Sequence, residues 1–174
     1  MRLFQTKGPA KYQSEEEKRL HRCCFTGHRP EKLLRFESDI KKELTEEINQ
    51  AVHDGMNVFI TGMACGVDLW AAEIVLDLRQ LNKDIKLICA VPYEGFEQRW
   101  DKSWQLLYRR VLCEADLVRV ISRGYFSGVF QVRNEWMVNH SARVIAVFSG
   151  RPGGTRNTID YAKRKGIPVR IIKG

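Results

Sequence analysis

The sequence predicts an α/β fold, a three-layer sandwich with a mostly parallel sheet and helices on both faces. From residue 23 onward, short apolar runs rich in β-branched residues alternate with longer stretches of helical period, the pattern of parallel strands joined by crossover helices. Three of the runs end in polar, glycine-bearing loops: C-C-F-T-G-H-R-P at residues 23–30, V-F-I-T-G-M-A-C-G-V-D at 58–68 and F-S-G-R-P-G-G-T at 148–155. In a parallel sheet all three open on one edge.

Residues 1–22 mix Lys, Gln, Ser and Glu around Gly8 and Pro9. They read as an arm or tail holding one turn of helix at 14–20, and residues 23–174 as a single domain. The first strand covers 23–26. After its loop, Ile40, Leu44, Ile48 and Val52 stand four apart on one helical face, with Gly55 as C-cap. Residues 58–61 form the second strand. The helix over 67–81 is apolar on several sides (Leu69, Ala71, Ala72, Ile74, Val75, Leu76, Leu78), which predicts heavy burial.

A third strand over 85–91 is ended by Pro92, which cannot donate to a ladder. The helix over 96–114 carries Trp100, Trp104, Leu107 and Val111 on one stripe, read as core. Then come a strand at 117–121, a loop at 122–128, a helix at 129–140, a strand at 143–148, a loop at 149–154, and a helix over 156–165 stopped by Gly166. Residues 167–172 make the last strand.

At 44% hydrophobic and 29% charged, the composition is that of an ordinary globular domain. No apolar run nears the ~20 residues that span a bilayer, and residues 1–22 lack the apolar core of a signal peptide, so no membrane association and a cytoplasmic location are expected. Five cysteines without C-x-x-C spacing read as reduced and buried. Cys65 differs: in a glycine loop at a helix start, it is either a small residue fitting a tight turn or an activated thiol. No metal-ligand spacing, Walker A lysine loop or Ser-His-Asp arrangement is present, so no metal is expected and His21, His53 and His140 read as structural or exposed.

The net charge of +8 is uneven, since residues 119–174 carry 11 basic and two acidic groups. That excess suits a small, multiply charged anion, or weak, sequence-blind contact with nucleic acid. No aromatic-interleaved basic stretch marks a single-strand platform. The glycine loops point to the anion, because glycine lets the backbone approach closely and the free N–H groups of a helix start carry about half a positive charge. The alternative is that these glycines serve only the strand-to-helix turn.

Five segments in order, T-G-H-R-P, G-M-A-C-G-V-D-L-W-A-A-E, V-P-Y-E-G-F, R-N-E-W-M-V-N-H-S and G-R-P-G-G-T-R-N-T, resemble the YpsA family. That family is a branch of the SLOG superfamily, which is named for Smf/DprA and the Lonely Guy proteins. The resemblance covers residues 23–172 and implies a Rossmann-like fold with a site for a nucleotide-derived phosphate ligand: a nucleoside monophosphate, ADP-ribose or an NAD-like molecule. A sensor or regulatory role is expected. The alternatives are a Lonely Guy-like phosphoribohydrolase, cleaving the N-glycosidic bond of a nucleoside monophosphate, and a DprA-like DNA-binding module. A homo-oligomer is compatible with the sequence.

The resemblance places Gly27, His28 and Arg29 in a first ligand loop, with Arg29 suited to bidentate phosphate contact. His28 either contacts ligand or caps the next turn. Gly62, Gly66 and Asp68 line the second loop, where Asp68 either accepts a ribose hydroxyl or favours its helix dipole. Arg133 and Asn134 join the site, Arg133 facing the same anion or forming a surface salt bridge. Gly153, Gly154 and Thr155 resemble the P-G-G-x-G-T-x-x-E phosphate loop of the Lonely Guy branch, but the later G-T is missing here. Asp160 stands at the offset of that motif's acid with a shorter side chain. Asp160, Asp68 and Glu135 are the candidate catalytic acids.

Overall fold

The computed structural model describes residues 14–174 of the chain, so the arm reading for residues 1–13 lies outside the described residues. Helix α1 (Glu15–Arg19) is the expected turn: Ser14 and Glu17 form a reciprocal capping box, and Arg19 donates to the Ser141 carbonyl.

Among the described residues six strands form one sheet, all parallel: β1 (Arg22–Gly27), β2 (Val58–Thr61), β3 (Lys86–Tyr93), β4 (Leu117–Ser122), β5 (Arg143–Phe148) and β6 (Val169–Lys173). Their order is β4-β3-β2-β1-β5-β6. The chain steps outward from β1 to β4, then returns to lay β5 on the other side of β1, with Cys24 opposite Val144. That reversal opens a crevice beyond the carboxyl ends of β1 and β5, where ligands bind in sheets of this kind.

Helices α2 (Glu37–His53), α3 (Val67–Leu81) and α4 (Lys102–Glu114) cover one face, over a core of Phe25, Phe59 and Leu87. Helices α5 (Val129–Asn139) and α6 (Gly154–Arg164) cover the other, over Ile60, Val144 and Ala146. With both faces covered, the inner strands are apolar throughout, as Cys23, Cys24 and Phe25 show by being fully buried in succession. In α2 the buried stripe runs Ile40, Leu44, Ile48 and then Ala51, not Val52, because a period of 3.6 drifts from strict spacing by four.

Four boundaries differ by two residues or more from the sequence reading, one being β6, which starts at Val169 rather than at residue 167. Strand β3 runs through Pro92 to Tyr93. β2 ends its pairing at Thr61 opposite Cys89, while β4 continues to Ser122 opposite Tyr93, so the missing proline N–H costs no bond on the β2 side. Helix α4 starts at Lys102, and residues 94–99 are turns in which Gly95 takes φ +79° and Gln98 N–H donates to the Gly95 carbonyl. Turns of that kind put residues three apart on one side, which continues the helical period of the stripe. Helix α6 starts at Gly154, two residues before the expected start.

Candidate anion-binding cleft

The crevice at the β1/β5 reversal is a cleft of about 220 Å³. The end of β1 and the loop after it supply Gly27, His28, Arg29 and Lys32, the loop after β2 and the start of α3 supply Ala64 and Asp68, and α5 supplies Arg133 and Asn134. The start of α6 adds Gly153, Gly154 and Thr155. The three glycine loops therefore open on one edge, as the parallel sheet requires.

Beneath the cleft lies a buried ion pair. Arg133 Nη1 stands 3.9 Å from Asp68 Oδ2, with both residues nearly inaccessible. Arg133 Nε donates to Asn134 Oδ1 at 2.8 Å, and Nη1 also donates to the Gly62 carbonyl. Asp68 Oδ2 accepts the Ala64 N–H at 3.3 Å. Burial pushes the Asp68 carboxyl up to about 6, against the opposing pull of Arg133 and the Ala64 N–H. Burial also lowers the Arg133 guanidinium from its ordinary value, with Asp68 resisting. Arg133 is thus neither a surface salt bridge nor a free fork, since its Nε and Nη1 are engaged inside the protein. Gly62 sits behind it, where a Cβ would fall inside the guanidinium and 2.7 Å from Asp68 Oδ2.

His28 is 4% exposed, its ring stacked on Phe148 with centroids 5.4 Å apart. Among the described residues its Nε2 has no hydrogen-bond partner. Burial, then Lys32 and Arg151, hold the imidazole below its usual pKa, so the ring is neutral at pH 7. The following turn, Pro30–Lys32, has no side-chain cap, which removes the capping role for His28. On the same cleft, Gly153 precedes α6 as its N-cap, with φ +139° and no side-chain cap, and the first helical bond, from Asn157 N–H to the Gly153 carbonyl, leaves the preceding N–H groups without an intrahelical acceptor. Arg29 and Lys32 are exposed at the rim, and among the described residues neither has an ion-pair partner. An orphaned buried nitrogen, a free helix start and two unpaired cations together suit an anion with hydrogen-bonding oxygens.

Four of the sequence-derived candidates lie outside the lining. Gly62 supports Arg133, and Gly66, at φ +88°, caps α3 where a Cβ would meet Pro30 Cδ at 2.7 Å. Glu135 accepts from Gln131 Nε2 at 2.9 Å, and Asp160 pairs with Arg156 at 3.5 Å on a half-exposed stretch of α6. Burial pushes the Cys65 thiol up to about 11, which removes the activated-thiol reading. All five cysteines are free, and Cys113 is exposed rather than buried. Among the described residues no group of three or more His, Cys, Asp or Glu side chains could hold a metal.

The lining also contains Lys32, Phe96, Trp100 and Phe130, which the sequence reading did not place there. The signal for two of them was Gly95 in V-P-Y-E-G-F, which marks a turn, and that turn lets Phe96 and Trp100 line the cleft while still packing on the core with Tyr108. Larger grooves of about 430 and 540 Å³ lie elsewhere: the first is lined by the carboxylates of Asp39, Glu43, Glu46 and Glu47, which do not suit an anion, and the second holds the Lys86–Asp116 pair.

Comparison with known proteins agrees with this geometry at the level of fold. The chain is 30% identical over 152 residues to UPF0398 proteins of Bacillus cereus (strain G9842) and Bacillus thuringiensis (strain Al Hakam), covering 82% of this chain and 83% of each relative. Among solved structures it is similar to DNA processing protein A (DprA) from Streptococcus pneumoniae, with a TM-score of 0.61 and 19% identity over 89% of this chain. The chain spans about half, 51%, of that protein. It is likewise similar to DprA from Helicobacter pylori, a structure described for its single-stranded DNA binding mode, with a TM-score of 0.63 and 18% identity over 92% of this chain and 68% of that one. The family model described as the YspA SLOG family matches residues 23–172, and the chain belongs to that family, the YpsA branch of SLOG with its Rossmann-like α/β fold.

Proposed function

We propose that the protein binds a nucleotide or nucleotide-derived phosphate ligand in this cleft, as a sensor or regulatory protein of the cytoplasm. The observation that carries the reading is the unpartnered Nε2 of buried His28 beside the uncapped start of α6. The phosphate sits on the N–H groups of Gly154 and Thr155, Arg29 and Lys32 screen its charge from the rim, and His28 accepts or donates one bond according to tautomer. Five free cysteines fit a reducing compartment. A thermal-shift screen against nucleotides, ADP-ribose and NAD tests the reading, because a ligand at 100 times its Kd stabilises the folded state by about 2.7 kcal/mol. A screen in which none of these shifts the transition would sink it.

Binding rather than N-glycosidic hydrolysis is favoured by the acids. Asp160 and Glu135 stand away from the cleft, and Asp68 is occupied with Arg133 and Ala64. A second reading, contact with single-stranded nucleic acid, rests on the loop between β4 and α5. There Tyr125 and Phe126 are 69% and 43% exposed next to Arg123, and Tyr125 packs edge-on against Tyr93. Aromatic faces beside a cation can stack bases without reading sequence. We place this second, as weak binding lost at ~150 mM salt. Tight binding of an oligothymidylate at that salt would reverse the order.

A further inference from the structure

We infer that the cleft selects a nucleotide with a single phosphate and seats its base against a wall of Phe96, Trp100 and Phe130, an inference that rests on the nucleotide-site reading above. The wall is built as one unit. Phe96 and Trp100 meet edge to face with centroids 5.0 Å apart at 84°, and Phe96 and Phe130 stand 6.4 Å apart at 62°. Tyr108, almost fully buried, backs both Phe96 and Trp100 at 5.5 and 5.8 Å. The three rings nevertheless stay partly exposed, Phe130 at 38%, and all three line the same cleft as the α6 start. A planar, apolar-faced group covers such a wall while its polar end reaches the helix.

The limit of one phosphate comes from the second loop. A diphosphate needs a second cradle, and the nearest candidate is the start of α3. The loop leading into it already holds an internal anion: Asp68 Oδ2 takes the Ala64 N–H at 3.3 Å and lines the cleft, so a second phosphate would face a carboxylate.

Isothermal titration of the full chain at pH 7.5 tests this with the four ribonucleoside 5′-monophosphates, ribose 5-phosphate and ADP-ribose. A base stacked on an aromatic ring is worth roughly 5- to 150-fold in affinity. The best-bound monophosphate should therefore exceed both ribose 5-phosphate and ADP-ribose by about tenfold or more. Trp100→Leu should bring it down to the level of ribose 5-phosphate, whose own affinity stays unchanged. Should Trp100→Leu fail to fold, Phe130→Leu, at the exposed end of the wall, carries the same comparison with a smaller drop. Equal binding of monophosphates and ribose 5-phosphate would overturn the stacking wall and leave the phosphate site standing. ADP-ribose binding more tightly than any monophosphate would overturn the single-phosphate limit. If neither ribose 5-phosphate nor any nucleotide binds, the nucleotide-site reading itself fails.

Discussion

Asp68 and Arg133 decide how the cleft floor behaves with pH. For an acid whose folded pKa is raised, the folded state binds more protons than the unfolded one, so the penalty is absent below the ordinary value near 3.8, grows as pH rises, and is complete above about 6. At 1.36 kcal/mol per unit, that penalty is on the order of 3 kcal/mol. Asp68→Asn cannot titrate, so urea unfolding from pH 4 to 7 should show the wild type losing stability relative to this variant between pH 4 and 6, with a constant difference above. His28 acts in the opposite sense below its ordinary 6.5, but it is present in both proteins and cancels. A difference independent of pH would contradict the raised pKa. At the rim, Arg29→Ala removes a charge-assisted bond and should weaken nucleotide binding by roughly tenfold without changing stability, measured by titration. The residue types of this site were legible, but their duties were not. Arg133 reads as a surface cation because it is charged and is followed by Asn134 and Glu135, and only the fold reveals that the Gly62 carbonyl and Asp68 turn it inward.

The loops are the elements that make the site, and their glycines divide into two kinds. Gly66 holds φ +88° against Pro30, so Gly66→Ala should cost roughly 2–4 kcal/mol from backbone strain and the clash, read as a Tm drop of several degrees. Gly154 has room, since a Cβ there would meet only Asn134 Nδ2, at 3.8 Å, so Gly154→Val should fold normally. Its branches would occupy the phosphate position, and binding should be lost. Strand and helix order was readable from alternating periods alone, because strands buried on both faces in a parallel sheet are apolar without interruption. The α4 start was not readable: the 94–99 turns keep a three-residue period that continues into the helix, so Trp100 joins the core stripe by its spacing while lining the cleft in space. Trp100, Trp104, Leu107 and Val111 all pack on that core, and Trp100 lines the cleft as well.

Across the whole molecule, the sheet order is what turns separate motifs into one cleft. Each glycine loop was visible in the sequence, and their common edge followed from parallel strands, but the reversal at β1 and β5 is a long-range fact that no local pattern encodes. The same reversal brings the basic final third of the chain, through α6, to face the β1 loop. Of the basic residues in that final third, Arg133, Arg143 and Arg156 are paired with Asp68, Asp54 and Asp160, and among the described residues the others form no ion pair. No helix among the described residues is long and apolar enough to cross a membrane. The most direct test of the central claim is isothermal titration of wild type and Gly154→Val with nucleoside monophosphates, both proteins first shown to be folded. Saturable binding by the wild type and none by Gly154→Val is the expected result; equal binding by the two would contradict a phosphate seat at the start of α6.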